Sequence, residues 1–285
     1  PFAPEQLLNF INRALENIRL KKENFQLENR SFHSFDFIGE NSQIIKIKKL
    51  ITKLSSTDSR ILIYGPTGSG KELLARKIHK NSQRKNEPFV ILNGALLQPD
   101  NYEIELFGLE NKDGTIIHGF LEKTKGGTLL IDEVSEIPLD TQAKILRALI
   151  DQKFKRVNGS EDIHVNIRII SSTSKDLKNE VMLGNFREDL YHRLNVVPIE
   201  IPSLDSRTDD IPLLIKYFQK KISEINGISE IEIDVNDDLL YTYNWPGNVR
   251  ELRNLVERIS ILSQNENKSN IGRLLNEILS KNSSQ

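Results

Sequence analysis

The sequence predicts an α/β fold: a parallel sheet sandwiched by helices, followed by a small α-helical domain. Three observations carry that prediction. Short β-branched runs alternate with amphipathic segments from Phe35 to about Ile201. A glycine-rich turn joins the first clear run to a helix, and beyond Pro212 strand-like runs stop while helical spacing continues.

Pro4 and Glu5 suit a first helical turn, and Leu7, Leu8, Ile11, Ala14, Leu15 and Ile18 then recur at helical spacing. With the charged run beyond them, residues 1–30 read as one long amphipathic helix. Its period fits equally a helix packed on its own domain and a dimerising linker. Residues 60–64, 89–92, 128–131 and 167–171 are largely apolar runs bounded by polar or glycine signals, and read as buried strands. Residues 71–81 and 140–152 lie between them and read as helices, so residues 35–202 form the α/β domain with both faces of its sheet covered. Pro198, Pro202 and Pro212 punctuate the passage out of that domain. Residues 213–225, 236–243 and 249–263 have helical spacing and make a lid spanning 203–264. Asn248 and Glu251 stand at capping-box spacing at its last helix. Residues 265–285 read as a linker.

Composition narrows the partners. The 285 residues are 38% hydrophobic and 28% charged, ordinary for a soluble domain. Thirty-nine basic against 40 acidic residues leave a net charge of −1, unlike a domain whose whole surface holds nucleic acid. Cysteine is absent, which excludes disulfides and thiolate metal sites and suits a cytoplasmic chain. His33, His79, His118, His164 and His192 are scattered, with no pair at metal-ligand spacing. No apolar run approaches the roughly 18 residues of a membrane span, so no membrane partner is expected. Both ends look cut from something longer.

The chemistry concentrates in two places. Gly65-Pro66-Thr67-Gly68-Ser69-Gly70-Lys71 follows the first strand and opens a helix. Glycines there let backbone N–H groups close around phosphates, the helix N-terminus adds positive potential, and Lys71 reaches the β and γ phosphates of a nucleoside triphosphate. Glu72 stands where most such loops place a Ser or Thr on magnesium, and a carboxylate can still act on the metal through water. The second place is Asp132-Glu133, two carboxylates at the C-terminal end of the run 128–131, where α/β folds hold their ligands. Asp132 suits magnesium and Glu133 suits an attacking water. Alone, such a pair is more often a helix cap; downstream of a phosphate loop it points to hydrolysis.

Phe37-Ile38-Gly39, the segment 65–72, Glu105-Leu106-Phe107-Gly108, the segments 126–133 and 186–195, and Trp245-Pro246-Gly247-Asn248-Val249-Arg250-Glu251-Leu252 together resemble the central AAA+ domain of the NtrC-type bacterial enhancer-binding proteins. Six separated motifs agree in order over residues 35 to 262. The resemblance implies ATP and Mg2+ as cofactors and adds Ile38 and Gly39 to the ATP-binding set. It implies that Asn93 restrains the catalytic Glu133, that Arg187 and Arg193 reach a neighbouring subunit's site, and that Arg250 leans from the lid onto the nucleotide. In-chain pairing of either arginine with Glu188 or Asp189 competes with that role. Thr173-Ser174 stands where the family usually has Thr-Asn, which leaves the sensor role of Ser174 open.

Between Gly108 and Gly119 the family's sigma-contacting Gly-Ala-Phe-Thr-Gly-Ala loop is missing, and the segment 109–118 is about four residues shorter by eye. Direct contact with sigma-54 RNA polymerase is therefore doubtful. The same loss marks NtrX-type response regulators. By that resemblance residues 1–30 are the end of a receiver domain plus linker, and the expected partners are a sensor kinase through that receiver and DNA through a further C-terminal domain. A homo-oligomer, dimeric or a ring of six or seven, is also implied. The reading is an ATP-hydrolysing module of a two-component transcriptional regulator; the alternative is a nucleotide-responsive oligomerisation scaffold with little turnover.

Overall fold

Five short runs pair side by side into one wholly parallel sheet in the computed structural model, which describes residues 35–96, 101–264 and 268–282. The chain divides into two units at Asp36, and the second, residues 37–285, is compact. The helix expected over residues 1–30 lies outside the described residues.

In chain order the second unit contains α1 (Ser42–Ser55), β1 (Ile61–Tyr64), α2 (Lys71–Lys80), β2 (Phe89–Asn93), α3 (Tyr102–Phe107), β3 (Leu109–Glu110), β4 (Ile116–Ile117), α4 (Phe120–Lys123) and β5 (Thr128–Asp132). Then come α5 (Leu139–Asp151), β6 (Lys153–Phe154), β7 (Ile163–His164), β8 (Arg168–Thr173), α6 (Leu177–Met182), α7 (Glu188–Leu194) and β9 (Val197–Glu200). Helices α8 (Ile211–Asn226), α9 (Leu239–Thr242), α10 (Asn248–Leu262) and α11 (Lys268–Asn282) complete it.

The sheet order is β2-β5-β8-β1-β9. The central strand β8 is buried along its whole length, as expected when helices cover both faces. The register sets Asn93 beside Asp132 and Tyr64 beside Thr173, so the C-terminal strand ends meet in one row. Strand β9 has no counterpart among the runs that read as strands, because Pro198 marks it as a break. It sits at the sheet edge, where Val197 and Ile201 donate to Arg60 and Tyr64 carbonyls and the missing Pro198 donor faces away from the ladder. Helix α1 is also absent from the elements read off the sequence, although its apolar residues recur at helical spacing; Asn41 caps it by accepting from the Gln43 N–H, and it buries Ile44, Ile47, Ile51 and Leu54.

In the lid, α8 and α11 both pack against α10. The polar stretch that reads as a linker over 265–285 therefore contains a helix. Its stripe of Ile271, Leu275, Ile278 and Leu279 is buried, and a polar composition masks that period. The short segment 109–118 folds as a tight hairpin: Leu109 and Glu110 pair antiparallel with Ile117 and Ile116, and the Gly114 φ of 83° closes the turn.

Candidate nucleotide site

The strand ends gather most of the residues singled out from sequence. The turn from β1 to α2 uses Gly68 and Gly70 at φ 77° and 106°, which a side chain tolerates poorly. Its lysine, Lys71, donates to the Gly65 carbonyl at 2.9 Å and pairs with the Glu133 carboxylate at 3.1 Å. Glu133 itself holds a left-handed backbone at φ 49° and ψ 56°, a strained setting for a residue with a Cβ. That bend turns its side chain out of β5 and toward the phosphate loop.

Two donors fix the Glu133 carboxylate. The Ser174 N–H and the Ser174 hydroxyl each reach Oε2 at 2.9 Å. Burial disfavours the charged form of Glu133, but the Ser174 N–H, the Lys71 charge and the Ser174 hydroxyl outweigh it and hold the carboxyl below its ordinary range. Asp132 goes the other way. Burial first, and the charge of Glu133, push its carboxyl above the ordinary range, against the opposing Ser172 hydrogen bond and the positive charges of Lys71 and Arg250. Two adjacent carboxylates thus sit in opposite environments, which suits them to different tasks.

Asn93 bonds Asp132 rather than Glu133: its amide approaches Asp132 Oδ2 at 3.4 Å while its own oxygen accepts from the Ala95 N–H at 3.0 Å. The restraint on Glu133 comes from Ser174 instead, through a hydroxyl and a backbone N–H just past the end of β8. Glu72 is engaged with Arg76 at 2.7 Å, one helical turn on.

Phe37, which precedes Ile38 and Gly39, lies beside the loop. The Phe37 ring stands 3.6 Å from where a Gly70 Cβ would be, and Gly39 leaves room for the buried Asp210 carboxylate, whose Oδ1 accepts from the Glu40 and Asn41 N–H groups. Arg250 places its backbone N–H on the Gly68 carbonyl at 3.2 Å.

Arg187 and Arg193 stay out of this cluster. Arg187 chelates Asp189 at 3.0 and 2.7 Å, the in-chain pairing that competes with a trans role. Arg193 donates to the Leu149 carbonyl at 3.2 Å and its buried Nε finds no hydrogen-bond partner among the described residues.

Sequence reasoning passes over Ser172, Arg207 and Asp210, and takes Asn248 only for a cap. The Asn248–Glu251 box does not form, because the cap residue is Gly247. Glu251 reaches back to the Gly247 N–H at 2.8 Å, while the Asn248 side chain goes to the Thr67 carbonyl and the Leu204 N–H. Its place beside the Gly247 turn is the available signal.

A phosphate loop after β1, the strand order β2-β5-β8-β1-β9, an acidic pair ending β5 and a helical lid define a P-loop nucleoside-triphosphatase fold of the AAA+ type. The chain belongs to the Sigma-54 interaction domain family, which matches residues 37–200, and residues 205–285 match the AAA+ ATPase lid domain. It is 45% identical over 92% of its length to the nitrogen assimilation regulatory protein NtrX of Azorhizobium caulinodans, covering 58% of that protein. It is 43% identical over 92% of its length to a putative response regulator NtrX-like protein of Rickettsia conorii, covering 56% of it. The chain thus spans little more than half the length of these relatives. The crystal structure of NtrX from Brucella abortus in complex with ATP is similar at a TM-score of 0.77 and 43% identity, over 94% of this chain and 61% of that one.

Proposed function

We propose that this chain binds ATP with magnesium and hydrolyses it, as the AAA+ module of a two-component transcriptional regulator. The observation that carries the reading is Glu133, held out of β5 on a strained backbone and aimed by Ser174 and Lys71 at the phosphate loop. A structural helix cap needs none of this. The NtrX of Brucella abortus, 43% identical, is described in complex with ATP and in complex with ADP, which supports the nucleotide.

The residues fit the metal as well. Among the described residues no three His, Cys, Asp or Glu cluster, and magnesium asks for none, since one or two carboxylates plus substrate phosphates suffice. Asp132, hydrogen-bonded to the neutral donors Ser172 and Asn93, is the carboxylate suited to it. Magnesium would supply charge neutralisation on the phosphates. Glu72, tied to Arg76, is placed for support at most.

In the reaction, Lys71 exchanges Glu133 for phosphate oxygens. Glu133, kept ionised by Ser174, then accepts a hydrogen bond from the attacking water and orients it. Arg250 and the N–H groups of the loop take up charge on the phosphates.

The experiment is Glu133→Gln against the parent, with ADP and ATP affinity measured by titration beside steady-state phosphate release. Affinity within a few-fold and turnover lost by roughly a hundredfold or more is the expected pair of results. Equal turnover in both proteins overturns the assignment.

A second reading has its own observation. The closed hairpin at 109–118 and the Arg187–Asp189 pair suit a scaffold whose oligomeric state follows nucleotide occupancy. Nucleotide binding with no phosphate release from concentrated parent protein favours it.

A further inference from the structure

Every carbonyl of the phosphate loop from Gly65 to Gly70 has a donor, and three of those donors come from beyond residue 203. Lys71 holds the Gly65 oxygen at 2.9 Å, the Ser69 N–H holds Pro66 at 3.2 Å, and the Leu74 N–H holds Gly70 at 3.0 Å. The other three are taken from outside the loop. Asn248 Nδ2 donates to the Thr67 oxygen at 3.0 Å, the Arg250 N–H to Gly68 at 3.2 Å, and Arg207 Nη2 to Ser69 at 3.2 Å.

A peptide unit is planar and trans, so its carbonyl and N–H point opposite ways. Pinning the Thr67 and Ser69 carbonyls on the lid side turns the Gly68 and Gly70 N–H groups to the other side, while the Ser69 N–H between them is spent on Pro66. Backbone N–H groups turned to one side in this way form an anion-binding concavity.

The pinning side chains are built for the task rather than caught by chance. Asn248 is 3% exposed, takes a left-handed φ of 53°, and uses its oxygen to accept from the Leu204 N–H at 2.8 Å. Arg207 is 2% exposed and faces Asp210 at 3.8 Å, whose carboxylate holds the Glu40 and Asn41 N–H groups in turn. The backbones are in contact too: a Cβ on Gly68 would lie 2.1 Å from the Gly247 carbonyl oxygen, with no flexible group to yield.

We infer that Asn248 and Arg207 are positioning residues of the phosphate loop, holding its Thr67 and Ser69 carbonyls toward the lid so that the Gly68 and Gly70 N–H groups stand ready for the phosphates of a nucleoside di- or triphosphate. This rests on the nucleotide-binding reading above and extends it to residues that touch no ligand. The lid and the phosphate loop then form one unit, and displacing the lid disorders the phosphate cradle.

The test uses the 285-residue chain with Asn248→Gly, which accepts a left-handed backbone but lacks every hydrogen bond of the side chain. Asn248→Asp is the second variant; it keeps an acceptor for Leu204 and loses the amide donor to Thr67 and, at 3.4 Å, to Pro246. Binding of ADP and of adenosine is titrated for each, after a thermal melt shows which variants fold. A buried acceptor left without its donor predicts ADP affinity about tenfold weaker, with adenosine within about twofold of the parent. A folded variant that binds ADP like the parent overturns the inference, as does an equal loss of ADP and adenosine, which would mean the lid has merely shifted. If Asp loses affinity while a folded Gly variant does not, the effect is charge and the inference falls. A parent chain that binds no ADP would instead sink the nucleotide reading itself.

Discussion

Ser174 decides how Glu133 behaves, although a serine there departs from the Thr-Asn pattern usual in the family. Two hydrogen bonds from one residue fix the carboxylate, one from backbone and one from the hydroxyl. Ser174→Ala keeps the first and loses the second. Turnover should fall about tenfold with ATP affinity unchanged, a loss matching one hydrogen bond to a charged group; unchanged turnover would show the N–H alone suffices. Lys71→Ala removes the partner of Glu133 and, on the proposed function, that of the phosphates; tight ATP binding should disappear in titration while the thermal melt stays cooperative. At the same scale, Trp245 is buried to 1% with its indole N–H on the Leu240 carbonyl at 2.9 Å. Trp245→Ala should cost about 3–5 kcal/mol in denaturant unfolding.

Among the elements, the hairpin β3–β4 is tied down by one side chain. Arg156 chelates Glu122 at 2.8 and 2.7 Å and has Glu110 of β3 within 3.9 Å, so one guanidinium ties the hairpin to α4. The Arg156 hydrogen bonds hold the Glu122 carboxyl below its ordinary range, with a lesser contribution from His118. A depressed carboxylate stabilises the fold above its unfolded pKa, roughly 4.3, and that contribution is lost as pH falls through the lower folded value. Arg156→Ala should therefore melt lower than the parent at neutral pH, with the gap closing in acid. A gap that holds constant down to about pH 3 would contradict the ion pair as its cause.

The same elements show what sequence could reveal. Strands β1, β2, β5 and β8 were legible because β-branched runs ended at glycines or polar residues, and the phosphate loop because chemistry constrains its spacing. Strand β9 was hidden by Pro198, harmless only at an edge that no local pattern announces. Helix α11 was hidden by its polar flanks. The phosphate-loop roles of Asn248, Arg207 and Asp210 depend on contacts across more than 130 residues, and no local spacing encodes them.

For the whole molecule, the hairpin at 109–118 presents no extended loop, so no nucleotide-dependent complex with sigma-54 is expected on a native gel, even with a transition-state analogue of ATP. A stable complex would place the contact on another surface. The two arginines of the α7 segment carry the larger claim, a nucleotide site completed by a second copy. Arg187 and Arg193 bond within their own chain and away from Glu133, so their service is to a neighbour or to the fold alone. An arginine supplied across an interface is worth roughly 10³–10⁵ in rate. The direct measurement mixes Arg193→Ala subunits with Glu133→Gln subunits, each expected to be inactive alone, and follows phosphate release as the ratio varies. In mixed assemblies an intact Glu133 meets an intact Arg193 from its neighbour, and turnover should return and peak between the pure proteins. No turnover at any ratio, in assemblies shown to contain both variants, would contradict a shared site.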